Sequence, residues 1–213
     1  MRLRRDPRAE QYIQESDIVI SNPEEYKGKW HTLFDNNNKL HVEFGMGKGG
    51  FIIELAKQNP HINYIGVERF ETVVYKACKK AEREEVSSNL RYLFYNVESC
   101  ADIFEAGEVD RIYLNFSDPW PKNRHANKRL TYYKFLEKYQ SILNSQGELH
   151  FKTDNKGLFE FSLNEISKSD WKMKNITLDL HASDIKNNIM TEYEARFSAM
   201  GMPIYRLECF PRK

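Results

Sequence analysis

The sequence predicts an α/β protein, a largely parallel sheet covered by helices on both faces. Three observations carry this. Short apolar runs of strand character alternate with amphipathic stretches of helical length. The first run ends in a glycine-rich turn that opens a helix. Glu43, Glu68, Asn96, Asp118 and Asp154 all fall at predicted strand ends, where open parallel sheets bind their ligands.

The elements follow in order. The segment through Phe34 is polar and broken at Pro7, Pro23 and Gly28. It reads as an arm or short helices laid over the domain, so residues 1–34 form a flanking arm and 35–213 a single domain. Residues 40–44 read as the first strand, followed by Gly45-Met-Gly-Lys-Gly-Gly50 and a helix with apolar Phe51, Ile52, Ile53, Leu55 and Ala56. Residues 62–67 form a second strand closing on Glu68, and Val73, Val74, Ala77 and Ala81 mark the next helix. Residues 90–95 form a third strand closing on Asn96. Residues 110–116 form a fourth, running into Ser117-Asp-Pro-Trp-Pro121. Residues 131–143 and 158–166 are helical, with a fifth strand at 148–151. Strand-like runs recur at 174–180 and 204–210.

Composition excludes other classes. The chain has 213 residues, 40% apolar and 30% charged. That is neither disordered nor a disulfide scaffold, and it suits one domain of ordinary size. No apolar run approaches the roughly 20 residues of a membrane span. The basic start is not followed by an apolar stretch, so no secretion signal is read. Three widely spaced cysteines, Cys78, Cys100 and Cys209, fit reduced thiols in the cytoplasm. The histidines form neither i,i+4 pairs nor clusters with cysteine, so no metal site is expected. The net charge is only +1, but it is unevenly distributed. Residues 119–134 carry Lys122, Arg124, Lys128, Arg129 and Lys134 with no acid, and residues 2–8 carry four arginines against Asp6. Such patches can bind polyanions locally, although a solvated charged loop accounts for them equally well.

The loop Gly45-x-Gly47-x-Gly49-Gly50 allows close backbone approach to a ligand. Alone it suits a dinucleotide as well as S-adenosyl-L-methionine. Glu68, 23 residues past Gly45, can accept hydrogen bonds from ribose hydroxyls in either case. Glu43 discriminates. A carboxylate beside the loop would repel a pyrophosphate but favours the ammonium and sulfonium of S-adenosyl-L-methionine. Two unit charges about 4 Å apart interact by roughly 4 kcal/mol at an effective dielectric near 20. Ordinary strand-end ion pairs remain the bland reading of both acids. Asn96 suits the adenine end, or simply a turn.

In Asn115-Phe-Ser-Asp-Pro-Trp-Pro-Lys122 the prolines fix φ and remove donors, which makes a stiff loop able to hold Asp118. Trp120 offers a face for a splayed base, if it is not core. Lys122, Arg124, His125, Lys128 and Arg129 suit a phosphate backbone. A carboxylate, an aromatic and a basic stretch together are what nucleobase methylation on a polynucleotide requires.

These segments, with Tyr64-Ile-Gly-Val-Glu68, His150-Phe-Lys-Thr-Asp-Asn155 and Thr191-Glu-Tyr-Glu194, resemble the bacterial tRNA (guanine-N7-)-methyltransferases of the TrmB type. The resemblance spans residues 22–206. It implies a Rossmann-like class I methyltransferase fold, with seven strands, the last antiparallel. It implies S-adenosyl-L-methionine as donor, bound by Glu43, Gly45, Gly47, Glu68, Asn96 and Asp118, and a guanosine of the tRNA variable loop as acceptor. It implies substrate contacts from Lys122, Asp154, Thr191, Tyr193 and Glu194, and RNA contacts from Arg124, His125, Lys128 and Arg129. Asn123 and Asn127 stand where the family is often more basic, so RNA affinity is expected to be weaker or to lean more on the Arg-rich N-terminus. A monomer or homodimer without a membrane partner is expected.

Guanine N7 carries a lone pair and no proton, so alignment and a carboxylate near the developing cation matter more than a base. Asp118 is the expected catalytic residue. Asp154 could accept from guanine N1–H and its amine, or cap a helix. Thr191 and Glu194 also have capping-box spacing. The alternatives are the same fold acting on another nucleic-acid acceptor, a non-catalytic tRNA-binding module, or an NAD-dependent oxidoreductase.

Overall fold

A computed structural model describes residues 6–86 and 88–212. Seven strands form one sheet in the order β3-β2-β1-β4-β5-β7-β6. The strands are β1 (Lys39–Phe44), β2 (Ile62–Glu68), β3 (Leu90–Phe94), β4 (Val109–Asn115), β5 (Leu143–Thr153), β6 (Trp171–Thr177) and β7 (Tyr205–Pro211). β1, β2 and β3 pair in parallel, as do β4 and β5. β7 runs antiparallel to both β5 and β6. The expected mostly parallel, seven-stranded sheet with an antiparallel last strand is therefore present. Contacts divide the chain into two compact units, residues 1–105 and 106–213.

In the first unit, helices α2 (Gly50–Gln58) and α3 (Glu71–Arg83) pack on β2 and β3. β1 and β2 are almost continuously buried, as parallel strands covered on both faces must be. Helix α1 (Arg8–Glu15) lies against α3. Ile18 and Ile20 then hydrogen-bond Tyr92 on both sides, at 2.7 and 3.0 Å, and extend the sheet beyond β3. This short pairing went unread in the sequence, although Ile18-Val-Ile20 is an apolar β-branched triplet. Trp30 is buried and donates its indole N–H to Ile103 O at 2.8 Å, which fixes the segment to α4 (Cys100–Ile103). Arg2, Arg4 and Arg5 lie outside the described residues.

In the second unit, α6 (Lys156–Ser167) packs on β5, β6 and β7, and α5 (Tyr133–Ile142) packs on α6. Asn155 accepts from Leu158 N at 2.8 Å and caps α6, so the helix cap weighed for Asp154 belongs to its neighbour. β5 begins at Leu143, five residues before the expected start. Leu143 pairs with Val109 across an irregular register that the polar Asn144-Ser-Gln146 stretch gives no sign of. Helix α7 (Glu192–Ser198) precedes β7.

Glu148 and His150 on β5 meet Glu208 on β7, with ligand atoms within 4.8 Å of one another. Lys174 and Arg206 pair directly with the two carboxylates, and Arg111 lies 3.5 Å from Glu148. Cations thus already balance these acids. His150 Nε2 shares a hydrogen bond with Glu148 at 2.9 Å, and burial holds the imidazole below its usual pKa. That hydrogen bond, with Lys174, holds the Glu148 carboxyl down at about 2, against the opposing effect of burial. A depressed carboxyl stabilises the fold above its unfolded value and loses that contribution as pH falls through the folded one. We therefore expect the thermal-midpoint gap between wild type and Glu148→Gln to be full above pH 4.5 and to close toward pH 2, in melts across that range. A gap independent of pH would rule out this role.

All three cysteines are buried and outside any disulfide. Burial pushes the Cys78 thiol up to about 11, and Cys209 is raised further by the same cause. None is poised as a nucleophile. Among the described residues, no helix is long and apolar enough to cross a membrane.

Candidate active site

The first unit gathers its acids at the carboxyl ends of its strands. Glu43 is the penultimate residue of β1 and only 2% exposed. Burying a carboxylate is costly unless a positive group or donors compensate it. The turn that follows is shaped by glycines in the left-handed region. Gly47 has φ +57°, and a Cβ there would meet no atom within 4 Å. The backbone is therefore open at this point. Gly49 has φ +72°, and a Cβ would lie 2.9 Å from Tyr92 Oη and 3.2 Å from Ala77 Cβ. It lets the turn seat against β3 and α3. Glu68, the last residue of β2, ties the turn together. Its Oε2 accepts from Gly47 N at 3.2 Å, and its Oε1 accepts from Arg69 N at 2.8 Å and Phe70 N at 3.1 Å. Burial raises its carboxyl above the ordinary range despite these donors. Oε1 thus has both lone-pair sites engaged, while Oε2 keeps one for a hydroxyl donor. Asn96 is exposed, and its side chain accepts from Glu98 N at 3.1 Å, capping a 3-10 turn. A buried acid, an open turn and a hydroxyl-accepting carboxylate fit the amino-acid and ribose parts of S-adenosyl-L-methionine.

The second unit carries the stiff loop. β4 ends at Asn115, and Phe116 N still donates to Lys152 O at 2.9 Å. Two bulky residues of the loop then adopt left-handed backbone, Phe116 at φ +51° and Trp120 at φ +41°. Such residues cost of order 1–3 kcal/mol each and persist only where surroundings over-determine them. Asp118 lies between them, exposed.

The basic stretch turns back onto this loop. Residues Asn123–Lys128 form a 3-10 helix. The His125 ring stands edge-on to Trp120 at 5.6 Å, and the Lys128 ammonium lies 4.7 Å from the Trp120 centroid. Both therefore pack on the aromatic expected to stack a base. Arg129 departs furthest from expectation. It is buried, and its guanidinium donates to Pro119 O at 3.1 Å and Trp120 O at 2.9 Å while lying 4.3 Å from the Phe161 ring centre. It thus turns inward instead of presenting its charge to a phosphate. Lys122 and Arg124 remain exposed cations.

Asp154 directly follows β5 and is half-buried. The Thr191-Glu-Tyr-Glu194 motif caps α7 by a full capping box, Thr191 Oγ1 accepting from Glu194 N at 2.8 Å. Glu194 corrects a second expectation. It is fully buried, and its carboxylate accepts from Lys152 Nζ at 2.7 Å and Asn188 Nδ2 at 2.5 Å. It supports the motif from behind and leaves Tyr193, half exposed, as the outward face. The Tyr193 ring packs on Phe116 at 5.4 Å and on Phe197 at 4.5 Å. Sequence reading singled out neither Lys152 nor Phe116. Lys152 lies in a strand that also carries Glu148 and His150, so its sequence context set it apart little.

A family model described as "Putative methyltransferase" matches residues 37–207. The chain is 53% identical over its whole length to the tRNA (guanine-N(7)-)-methyltransferase of Lachnoclostridium phytofermentans, covering 100% of both. It is 52% identical to that of Bacillus subtilis, covering 98% of each. The chain belongs to the bacterial tRNA (guanine-N7-)-methyltransferase family. Solved structures add the fold. The 16S rRNA methyltransferase KamB superposes with a TM-score of 0.64 at 11% identity, over 87% of this chain and 94% of that one. An antibiotic-related methyltransferase gives 0.61 at 16%, over 85% and 91%. The tRNA (guanine-N7-)-methyltransferase family thus appears here on the class I methyltransferase fold.

Proposed function

We propose that this chain transfers the methyl group of S-adenosyl-L-methionine to N7 of a guanosine in the tRNA variable loop. The observation that carries this reading is full-length identity of just over half the residues to enzymes named for that reaction. The side chains account for how it would proceed.

When bound, S-adenosyl-L-methionine supplies a methyl on a positively charged sulfur. Glu43 offers a buried negative charge to the ammonium group, and Glu68 accepts from the ribose hydroxyls. The open backbone at Gly47, in the turn that Gly45 begins, permits close approach, and Asn96 would meet the adenine end. On the acceptor side, Tyr193 and Phe116 provide an aromatic wall for the base. Asp154 accepts from guanine N1–H and the exocyclic amine, a pattern that adenine cannot satisfy. Thr191 orders the segment bearing Tyr193. Guanine N7 has no proton to lose, so no residue acts as a base. Asp118 stabilises the positive charge that develops on the ring as the N7–methyl bond forms. Lys122 and Arg124 hold the RNA backbone, with His125 and Lys128 contributing through the stack on Trp120. No protein metal ligand enters the reaction, and the cytoplasm is where its substrate resides.

Labelled methyl transfer to unmodified tRNA transcripts, with nucleoside mass spectrometry, tests this. 7-Methylguanosine that disappears when one variable-loop guanosine is changed is the expected result. A different methylated nucleoside would move the acceptor.

A further inference from the structure

We propose that Arg129 is a positioning residue that sets the shape of the Asp118 loop, and that it makes no contact with RNA. The inference rests on the reading of Asp118 as the group at the reacting centre. The loop has an unusual need. Pro119 and Pro121 carry no N–H, so the loop cannot satisfy its carbonyls through local turns. Trp120 between them holds a left-handed backbone that bulky residues rarely adopt. Something outside the loop must supply donors to successive carbonyls at once. A guanidinium does so, because its planar fork presents several N–H groups in fixed geometry.

Arg129 is placed to do this. Its Nε and Nη2 both reach Trp120 O, at 3.3 and 2.9 Å, and Nε also reaches Pro119 O. The residue is itself anchored. Its guanidinium stacks on Phe161 of α6, and two residues on, Thr131 Oγ1 hydrogen-bonds Ser162 Oγ at 2.7 Å. Tyr133 N then donates to Glu165 on the same helix at 2.9 Å. Helix α6 is thus a rigid reference, and Arg129 transmits its position to the peptide immediately after Asp118. A lysine has a point charge in place of the fork and cannot reproduce this.

Three readouts on Arg129→Ala and Arg129→Lys test the proposal, with Lys122→Ala/Arg124→Ala as the contrast. Trp30 and Trp171 are buried, so acrylamide quenching of tryptophan fluorescence reports mainly on Trp120. We expect both Arg129 variants to raise quenching and to lower kcat at least tenfold, Arg129→Lys less severely. The salt slope of tRNA binding should stay as in wild type. The contrast variant should leave quenching unchanged and flatten the slope by about one to two. Unchanged quenching, or a flattened slope with kcat intact, would overturn the proposal and return Arg129 to the RNA surface. If Arg129→Ala does not fold, Arg129→Lys carries the same comparison. If wild type proves not to methylate tRNA, the proposed function falls on that result, while quenching still decides whether Arg129 holds the loop.

Discussion

Asp118→Ala is expected to lower methyl transfer by about 10²–10³-fold, the usual scale for removing one preorganised charge-stabilising group, with the fold intact. The side chain is exposed on a loop, so truncation leaves no cavity in the core and strands no apolar neighbour. The carbonyls of Pro119 and Trp120 accept from Arg129, and these bonds remain when the Asp118 side chain is cut back. The thermal midpoint should therefore stay close to that of wild type. Single-turnover methyl transfer at saturating tRNA is the measurement, beside a melt followed by circular dichroism. Asp118→Asn refines it, because the amide preserves shape and removes charge. If stabilising the developing cation is the role, the amide should be nearly as impaired as alanine. Turnover within a few-fold of wild type in Asp118→Ala would end the assignment.

The second large effect is expected at Glu43. Its carboxylate is only 2% exposed at the end of a fully buried strand segment. In so dry a site a cationic ligand group meets a carboxylate that water screens little. Glu43→Gln keeps the volume and removes the charge. S-adenosyl-L-methionine affinity should drop by about 10–100-fold, within the roughly 4 kcal/mol ceiling for a close charge pair. The free protein should stay folded, with its thermal midpoint changed far less than the affinity. Calorimetric titration and a melt on the same preparation give both numbers. Lower stability with unchanged affinity would make Glu43 an ordinary structural acid.

Much of this architecture was legible because β1, β2 and β4 are short stretches rich in apolar and β-branched or aromatic residues, and because chemical residues sat where such stretches stop. Glu68 could be read from the edge of Val67, and Asp118 from prolines that forbid strand and helix alike. What failed to show were roles decided by tertiary partners. Arg129 and Lys128 look identical in a basic stretch. Only the nearby Phe161 ring and the donor-poor loop make one a tether and leave the other on the face of Trp120. Glu194 read equally as a helix cap and as a substrate contact, and in the structure its carboxylate is spent on the cap and on Lys152. The early start of β5 was hidden for a similar reason, since its polar Asn144-Ser-Gln146 stretch is recruited by pairing with β4 and not by its own propensity.

The Lys152–Glu194 pair has a consequence for how this sequence can drift. Lys152 is 5% and Glu194 0% exposed at the side chain. Losing either partner leaves the other's buried charge to its remaining hydrogen bonds, with Asn188 and Ile189 for Lys152 and with Asn188 and His181 for Glu194, at a cost of up to about 3–5 kcal/mol, which is a large share of a typical domain's stability. Neutral replacement of both at once avoids that cost. The two positions, 42 residues apart in the chain, are therefore bound to a common history: single steps at either are costly, and change passes more cheaply through the pair.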